Sequence, residues 1–321
     1  MRRLVAAAVL TALAAGCGGS GGAAPSGERT PERLSITTGG RGGIYFVYGG
    51  ALAKAISGHM PGYRGTAQES TGSVENLLRL RDGRSDIALT LADTALDAVE
   101  GREAFEPPVP LRALAQIYRS YVQVVTLRGS AIRSLTDLRG RRVSVGSPDS
   151  GTEVVAERAL AVAHMSSRRD IRRRRLGVAE SAKALEDGSI DAFFWSGGLP
   201  TGAIADLARG RAISLLDLGA LARPLRARYG GVYVDARIPP STYPGVAAAV
   251  PTVSIPNYVV VSAKMNRALA FDLTELLFRR ARDLAAAHPE SQSLDAAHAQ
   301  EVIAPIQLHP GAEQYYQRGA G

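Results

Sequence analysis

Three short segments of this chain set glycines and hydroxyl side chains just ahead of helix-prone runs. They are Thr38-Gly39-Gly40-Arg41-Gly42-Gly43 with Tyr45 behind it, Ser70-Thr71-Gly72-Ser73, and Ser147-Pro148-Asp149-Ser150-Gly151-Thr152. A fourth segment, Trp195-Ser196-Gly197-Gly198, follows an aromatic run. Glycine lets backbone N–H groups approach a ligand closely, and a helix start favours negative charge. The chemistry on offer is therefore anion binding. The candidate ligand residues are Gly40, Arg41, Tyr45, Ser73, Ser150, Gly151, Thr152, Trp195 and Ser196. Ser150 and Glu153 have capping-box spacing, so a simple N-cap accounts for Ser150 at about 1 kcal/mol. It accounts less well for Thr152. A hydroxyl, a glycine and a second hydroxyl at one helix start make a seat for a carboxylate. Arg41 fits a bidentate carboxylate contact and an exposed side chain equally well. Trp195, the only tryptophan, fits a ligand cover or a core residue.

Catalysis finds little support in the same residues. His59, His164, His288, His298 and His309 show no metal-ligand spacing. No Gly-x-Ser-x-Gly elbow occurs, and no base stands beside the hydroxyl-rich loops to activate a nucleophile. The first glycine loop has the wrong spacing for a dinucleotide fingerprint, and no Gly-Lys-Ser/Thr follows it. The expectation is a binding protein with no metal, no cofactor and no enzymatic turnover.

Positioning these loops requires alternating strands and helices. Residues 34–38 alternate as a strand, 44–57 read as a helix, and 64–68 as a second strand. A helix opens at Gly72-Ser73, followed by a strand at 86–90 and a helix at 92–99. A proline-rich break precedes residues 111–118, and 121–127 are strongly β-prone. A strand at 142–146 precedes the helix opened by Ser150-Gly151-Thr152. A helix ends near Leu185, and an aromatic strand closes at Trp195. A helix at 201–208 and a strand at 213–216 come next. A proline-rich passage over 238–256 leads to a strand at 258–261. Helices are predicted over 269–287 and 293–303. The pattern predicts an α/β protein with two lobes, each a mostly parallel sheet flanked by helices, joined by crossing strands. Ligands in such sheets bind beyond the carboxyl ends of the strands.

Composition narrows the setting. Hydrophobic residues make up 45% and charged residues 21%, ordinary for a globular protein. Met1-Arg2-Arg3, an apolar run over Leu4–Ala15, then Gly16-Cys17 and a Gly/Ser/Ala/Pro stretch have the layout of an export leader. The run is too short to span a bilayer. Leu13-Ala14-Ala15-Gly16-Cys17 resembles a bacterial lipobox with an imperfect match at Ala14. Cys17, the single cysteine, is the expected lipid-anchor site, and it excludes a disulfide framework. The net charge of +8 is almost all arginine. The dense run Arg168-Arg169-Asp170-Ile171-Arg172-Arg173-Arg174-Arg175 has no aromatic interleaving, so it reads as a solvated connection and not as a nucleic-acid site.

In their order along the chain, these segments resemble the TAXI family, the extracytoplasmic solute receptors of one branch of TRAP transporters. The resemblance rests on Thr38 to Tyr45, Thr71-Gly72-Ser73-Val74-Glu75-Asn76-Leu77, Asp86-Ile87-Ala88 and Leu135 to Gly140. It continues through Ser150-Gly151-Thr152-Glu153, Phe194 to Pro200, Ile238 to Gly245, and Pro305 to Tyr316. The chain departs from the family pattern at Arg41 and Ile44, and at Leu91-Ala92-Asp93, where a glutamine is missing. The resemblance implies a two-lobed, periplasmic-binding-protein-like receptor that closes on a small carboxylate, such as glutamate or another organic acid. It implies delivery to a TRAP membrane permease by a monomer held outside the cytoplasmic membrane. Gly40, Tyr45 and Ser73 would come from lobe 1, and Ser150, Gly151, Thr152 and Ser196 from lobe 2. The expected division is a leader over 1–16, a tether over 17–32, lobe 1 over 33–127 and 255–321, and lobe 2 over 128–254. A ligand sensor signalling to a membrane partner and an envelope enzyme are the alternatives.

Overall fold

The computed structural model describes residues 31–288 and 294–319. The leader, Cys17 and the tether up to residue 30 lie outside them. The first half of the chain forms β1 (Glu32–Thr37), α1 (Ile44–His59), β2 (Tyr63–Gln68), α2 (Ser73–Arg81), β3 (Ile87–Leu91), α3 (Ala92–Glu100) and β4 (Leu111–Leu127). Next come β5 (Arg142–Ser144), α4 (Gly151–Val162), β6 (Arg172–Arg174), α5 (Val178–Glu186), β7 (Ala192–Gly197), α6 (Gly202–Gly210) and β8 (Ile213–Leu215). The chain then adds α7 (Ala222–Tyr229), β9 (Val234–Ile238), β10 (Val250–Ser262), α8 (Arg267–Arg279), α9 (Ala281–Ala287), α10 (Ala296–Ala299) and α11 (Pro310–Gly319).

The strands form one mixed sheet in the order β2-β1-β3-β10-β4-β7-β5-β6, with β8 on β4 and β9 on β10. β1, β2 and β3 run parallel, as do β5, β6 and β7. The long strands β4 and β10 are antiparallel to each other and serve both groups. Their register locates the junction. Leu91, the last residue of β3, pairs with Asn257, which pairs with Tyr118. Gly197, the last residue of β7, pairs with Tyr121. The carboxyl ends of the two parallel groups therefore meet over residues 118–121 of β4. Helices leaving those ends begin there.

Alternation sorts the core to the two faces. Ile36, Ile87, Leu89, Val259 and Val261 pack with α1 and α8. Ala88, Leu91, Ala113 and Val260 pack with α2 and α3. Val125, Phe193 and Ile213 pack with α5 and α6. Behind the junction lies a buried polar cluster. Arg158 of α4 bonds Tyr233 at 3.0 Å, approaches Asp93 of α3 at 3.5 Å, and pairs with Asp97. The Tyr233 hydroxyl donates to Asp93 at 2.7 Å. Burial opposes the Arg158 charge, but Tyr233, Asp93 and Asp97 more than offset it, so its pKa is raised.

The structure differs from the sequence expectation at several elements. β4 starts at Leu111, ahead of the β-prone run over 121–127, and is continuous, since residues 119 and 120 keep the ladder with Pro256 and Ile255. The proline-rich passage is not a connector: β10 begins at Val250 and runs through Pro251 and Pro256. Register shifts just beyond Pro256 absorb the missing donor there, as bulges do. Residues 269–287 form two helices that part at Arg280, and of the predicted helix over 293–303 the described residues, 294–303, hold only the short α10. The basic run is partly structured as the edge strand β6. Its Arg173 and Arg175 pair with Glu153 at the start of α4.

Two predictions follow from buried groups. Arg158→Met leaves Asp93 without its cation and Asp97 with only the half-exposed Arg102 at 3.3 Å, and lowers stability by roughly 3–5 kcal/mol in urea unfolding. His309 is 2% exposed. Its Nε2 donates to the Met265 carbonyl at 3.0 Å, and its Nδ1 accepts from the Gly311 amide at 3.1 Å. Burial holds its pKa below the ordinary 6.5, against the pull of the Met265 carbonyl. The unfolded chain then binds that proton more readily than the folded one, so stability falls as pH drops below about 6.5. Melting scans between pH 7.5 and 5.5 fall in Tm, and less steeply in His309→Gln.

Candidate functional site

A cavity of about 360 Å³ opens over the junction, and all nine residues singled out by the sequence line it. Helices α1, α2, α4 and α5 begin in its wall, at Ile44, Ser73, Gly151 and Val178. The first amides of each helix have no intrahelical acceptor, so four partial positive charges converge on one volume.

The α2 and α4 starts touch. A Cβ placed on Gly151 would lie 2.6 Å from Leu91 Cδ1 and 2.7 Å from Ser73 Oγ, so only glycine fits at this approach. The Glu75 amide donates to the Asp149 carbonyl at 3.0 Å, which fastens the two loops together. Gly72, whose φ is 131°, faces Ser150.

The hydroxyls divide by partner. Ser150 Oγ accepts from the Glu153 amide at 3.1 Å and donates to the Ser147 carbonyl at 2.8 Å, so it is an N-cap. The capping box is only half formed, because the Glu153 carboxylate takes the Asp149 amide at 3.0 Å instead of that of Ser150. Ser73 Oγ accepts from the Leu91 amide at 3.0 Å. Thr152 Oγ1 accepts from the Ser196 amide at 3.2 Å, which leaves its own proton to donate. Ser196 is 9% exposed, and its buried hydroxyl has no partner among the described residues.

Aromatic groups complete the walls. Tyr45 donates to Asn257 Oδ1 at 2.6 Å, which fixes its ring against Tyr118 at the junction. Burial raises its pKa, Ser73 lowers it, and Asp93 raises it further, so the phenol stays protonated. Trp195 is half-buried and donates to Thr201 Oγ1 at 2.8 Å, and its ring edge lies against Gly43. It serves as wall and packing residue together. Arg41 stands at the rim with its side chain 79% exposed, 3.5 Å from Glu69. Gly40 lines the glycine loop, whose turn closes with the Gly43 amide on its carbonyl at 3.3 Å.

Sequence reasoning missed Tyr118, Ser120 and the α5 start at Gly177–Glu180. The first two sit inside a long strand and carry no loop signature. The Glu180 carboxylate accepts from the Gly177 amide at 3.0 Å, but glycine has no side chain to complete a capping box, so the sequence signal for the third is weak.

Asn76 is the buried brace beneath the first two loops. Its Nδ2 donates to the carbonyls of Thr38 at 2.6 Å and Leu89 at 2.7 Å, and its Oδ1 accepts from Ser70 at 2.6 Å and from Thr37. None of the five histidines lines the cavity. Among the described residues, no group of three or more His, Cys, Asp or Glu could hold a metal, and no helix is long and apolar enough to cross a membrane.

Gly151→Ala forces the α2 and α4 starts apart. It is expected to lower Tm by several degrees and to cut the affinity of any cavity ligand, both measured by thermal shift.

Solved structures share the fold at low identity. A protein of Bordetella bronchiseptica RB50 matches at 18% identity over 90% of this chain and 82% of that one, with a TM-score of 0.54. A structure described for glutathione import through GshT and the cystine importer TcyBC of Streptococcus mutans matches at 13% identity over 80% and 93%, with a TM-score of 0.52. The periplasmic aliphatic sulphonate binding protein SsuA of Escherichia coli matches at 16% identity over 89% and 83%, with a TM-score of 0.46. The sequence profile of the NMT1-like family matches residues 36–318, and the chain belongs to that family.

Proposed function

We propose that this chain is an extracytoplasmic solute receptor that binds a small carboxylate between two lobes and hands it to a membrane permease of the TRAP type. One observation carries the reading. Four helix starts and a set of neutral hydroxyls face a single cavity where the two strand groups meet. Such an arrangement holds an anion without titrating it. The hydroxyls of Ser73, Ser150 and Thr152 bond backbone groups, and the one cavity hydroxyl that meets a carboxylate among the described residues is that of Thr71, on Glu75 at 2.8 Å, which favours binding over turnover.

Lobe 1 comprises residues 33–127 and 255–321, and lobe 2 comprises 128–254. One boundary falls at the end of β4 and the other within β10, the strands common to both groups. A ligand touching Ser73 on one side and Thr152 on the other favours the closed arrangement. The receptor acts as a monomer outside the cytoplasmic membrane, tethered through a lipid on Cys17, so that it meets its permease at raised effective concentration.

A thermal-shift screen of organic acids and amino acids tests the reading. At least one carboxylate raises Tm, and mass spectrometry finds it unchanged after incubation. Thr152→Val keeps the side-chain volume and removes the donor, and it weakens that ligand by roughly 1–3 kcal/mol. A screen in which no carboxylate moves Tm sinks the proposal.

A further inference from the structure

The floor and the rim of the cavity carry opposite electrostatic character. The floor offers neutral donors only: the Gly151 amide at a helix start, the Thr152 hydroxyl, and the partnerless hydroxyl of Ser196. Ser196 is an independent pointer to a ligand there, because the residue lines the cavity at 9% exposure and its buried hydroxyl has no partner among the described residues, which is costly unless something bonds it.

The rim has three charged side chains. Arg41 lies 3.5 Å from Glu69 and is 79% exposed, so this pair largely cancels in water. Glu180 is the third. Its Oε2 accepts from the Gly177 amide at 3.0 Å, and no ion pair reaches it among the described residues. One arginine against two carboxylates leaves the lining with a net negative charge. Between floor and rim the walls are apolar or aromatic, at Leu91, Tyr118 and Trp195.

A ligand seated with one carboxylate on the floor therefore meets, for a second one, a rim whose single cation Arg41 already faces Glu69, and Glu180 repels it. We propose that the ligand is a monocarboxylate with an apolar or aromatic body, and that dicarboxylates and acidic amino acids are rejected. This narrows the receptor reading above and rests on it. Selection comes from a repulsive group at the rim as much as from attraction at the floor.

Calorimetric titration of the full chain tests it with acids that share a head group. The probes are 4-methyl-2-oxopentanoate and phenylpyruvate against 2-oxoglutarate and glutamate. The better monoacid is expected to bind at least tenfold more tightly than either diacid. Ser196→Ala weakens that monoacid about tenfold. Glu180→Gln retains an acceptor for the Gly177 amide and shrinks the gap between monoacid and diacid severalfold. A diacid that binds as well as or better than both monoacids overturns the inference while leaving the receptor reading intact. A gap that Glu180→Gln does not change also overturns it. If none of the four binds and no other carboxylate raises Tm, the inference and the receptor reading fall together.

Discussion

The site depends on the register of two strands. β4 is 17 residues long, roughly 55 Å when extended, enough to pair with β10 at one end and β7 at the other. Because β10 and β4 are antiparallel to each other, and β7 is antiparallel to β4, the two parallel groups point at one another. Had β7 paired in parallel, its carboxyl end would lie far from that of β3. The helix starts of the second group would then open on the opposite edge of the sheet. A cavity walled by α1, α2, α4 and α5 is a consequence of strand polarity before it is a matter of any side chain. One residue of register slip would turn Tyr118 and Ser120 to the other face.

Polarity alone leaves the loops free, and two asparagines fix them. Asn257 sits in β10 opposite Tyr118, and it holds the Tyr45 phenol while donating to Ser120 at 2.9 Å. Asn76 joins the ends of β1 and β3 to Ser70 through four bonds and is fully buried. An amide has two donors and an acceptor oxygen with two lone pairs, and Asn76 uses all of them. An aspartate at that position would lose both donors to the carbonyls and bury a charge. The converging helix starts repel one another through their partial charges, so the loops that hold them together must be stiff. The Glu75 amide on the Asp149 carbonyl and the glycine contact at Gly151 supply that stiffness.

What could be read in the sequence follows from how local each signal is. The glycine and hydroxyl loops announce helix starts within four or five residues, and every one of the nine candidate residues reached the same cavity. α1, α2, α3 and α4 were readable for the same reason. Pairing is not local. Nothing in residues 111–127 says that one strand serves two partners, and Pro251 and Pro256 argue against a strand until the bulge beside them is known. α7 and β9 were missed because Ala222–Tyr229 carries three arginines and a proline, and Val234–Ile238 is an exposed edge with little alternation. The arginine run misled in part. Arg173 turns inward to Glu153, and only a neighbouring helix reveals that. Arg41 looked equally suited to ligand and solvent, and the structure places it against Glu69 at the rim.

The same geometry bears on how firmly the proposed lobes hold together without ligand. The contacts that cross the junction are of two kinds. The Arg158 cluster is buried and charged, so much of its attraction is offset by the cost of removing those groups from water. The Thr152–Ser196 bond lies within lobe 2, whereas the Glu75–Asp149 bond and the Gly151–Ser73 contact join the two lobes at the cavity itself. The packing around them is continuous, since one hydrophobic cluster joins Val74, Leu77 and Ala92 of the proposed lobe 1 to Val155, Ala159 and Tyr233 of the proposed lobe 2, so separating the lobes exposes apolar surface as well as breaking that backbone bond. In the proposed receptor, a carboxylate would add bonds to both helix starts at once, and only when they are together. Its differential affinity for that arrangement, added to the protein's own contacts across the junction, would then set the closed population.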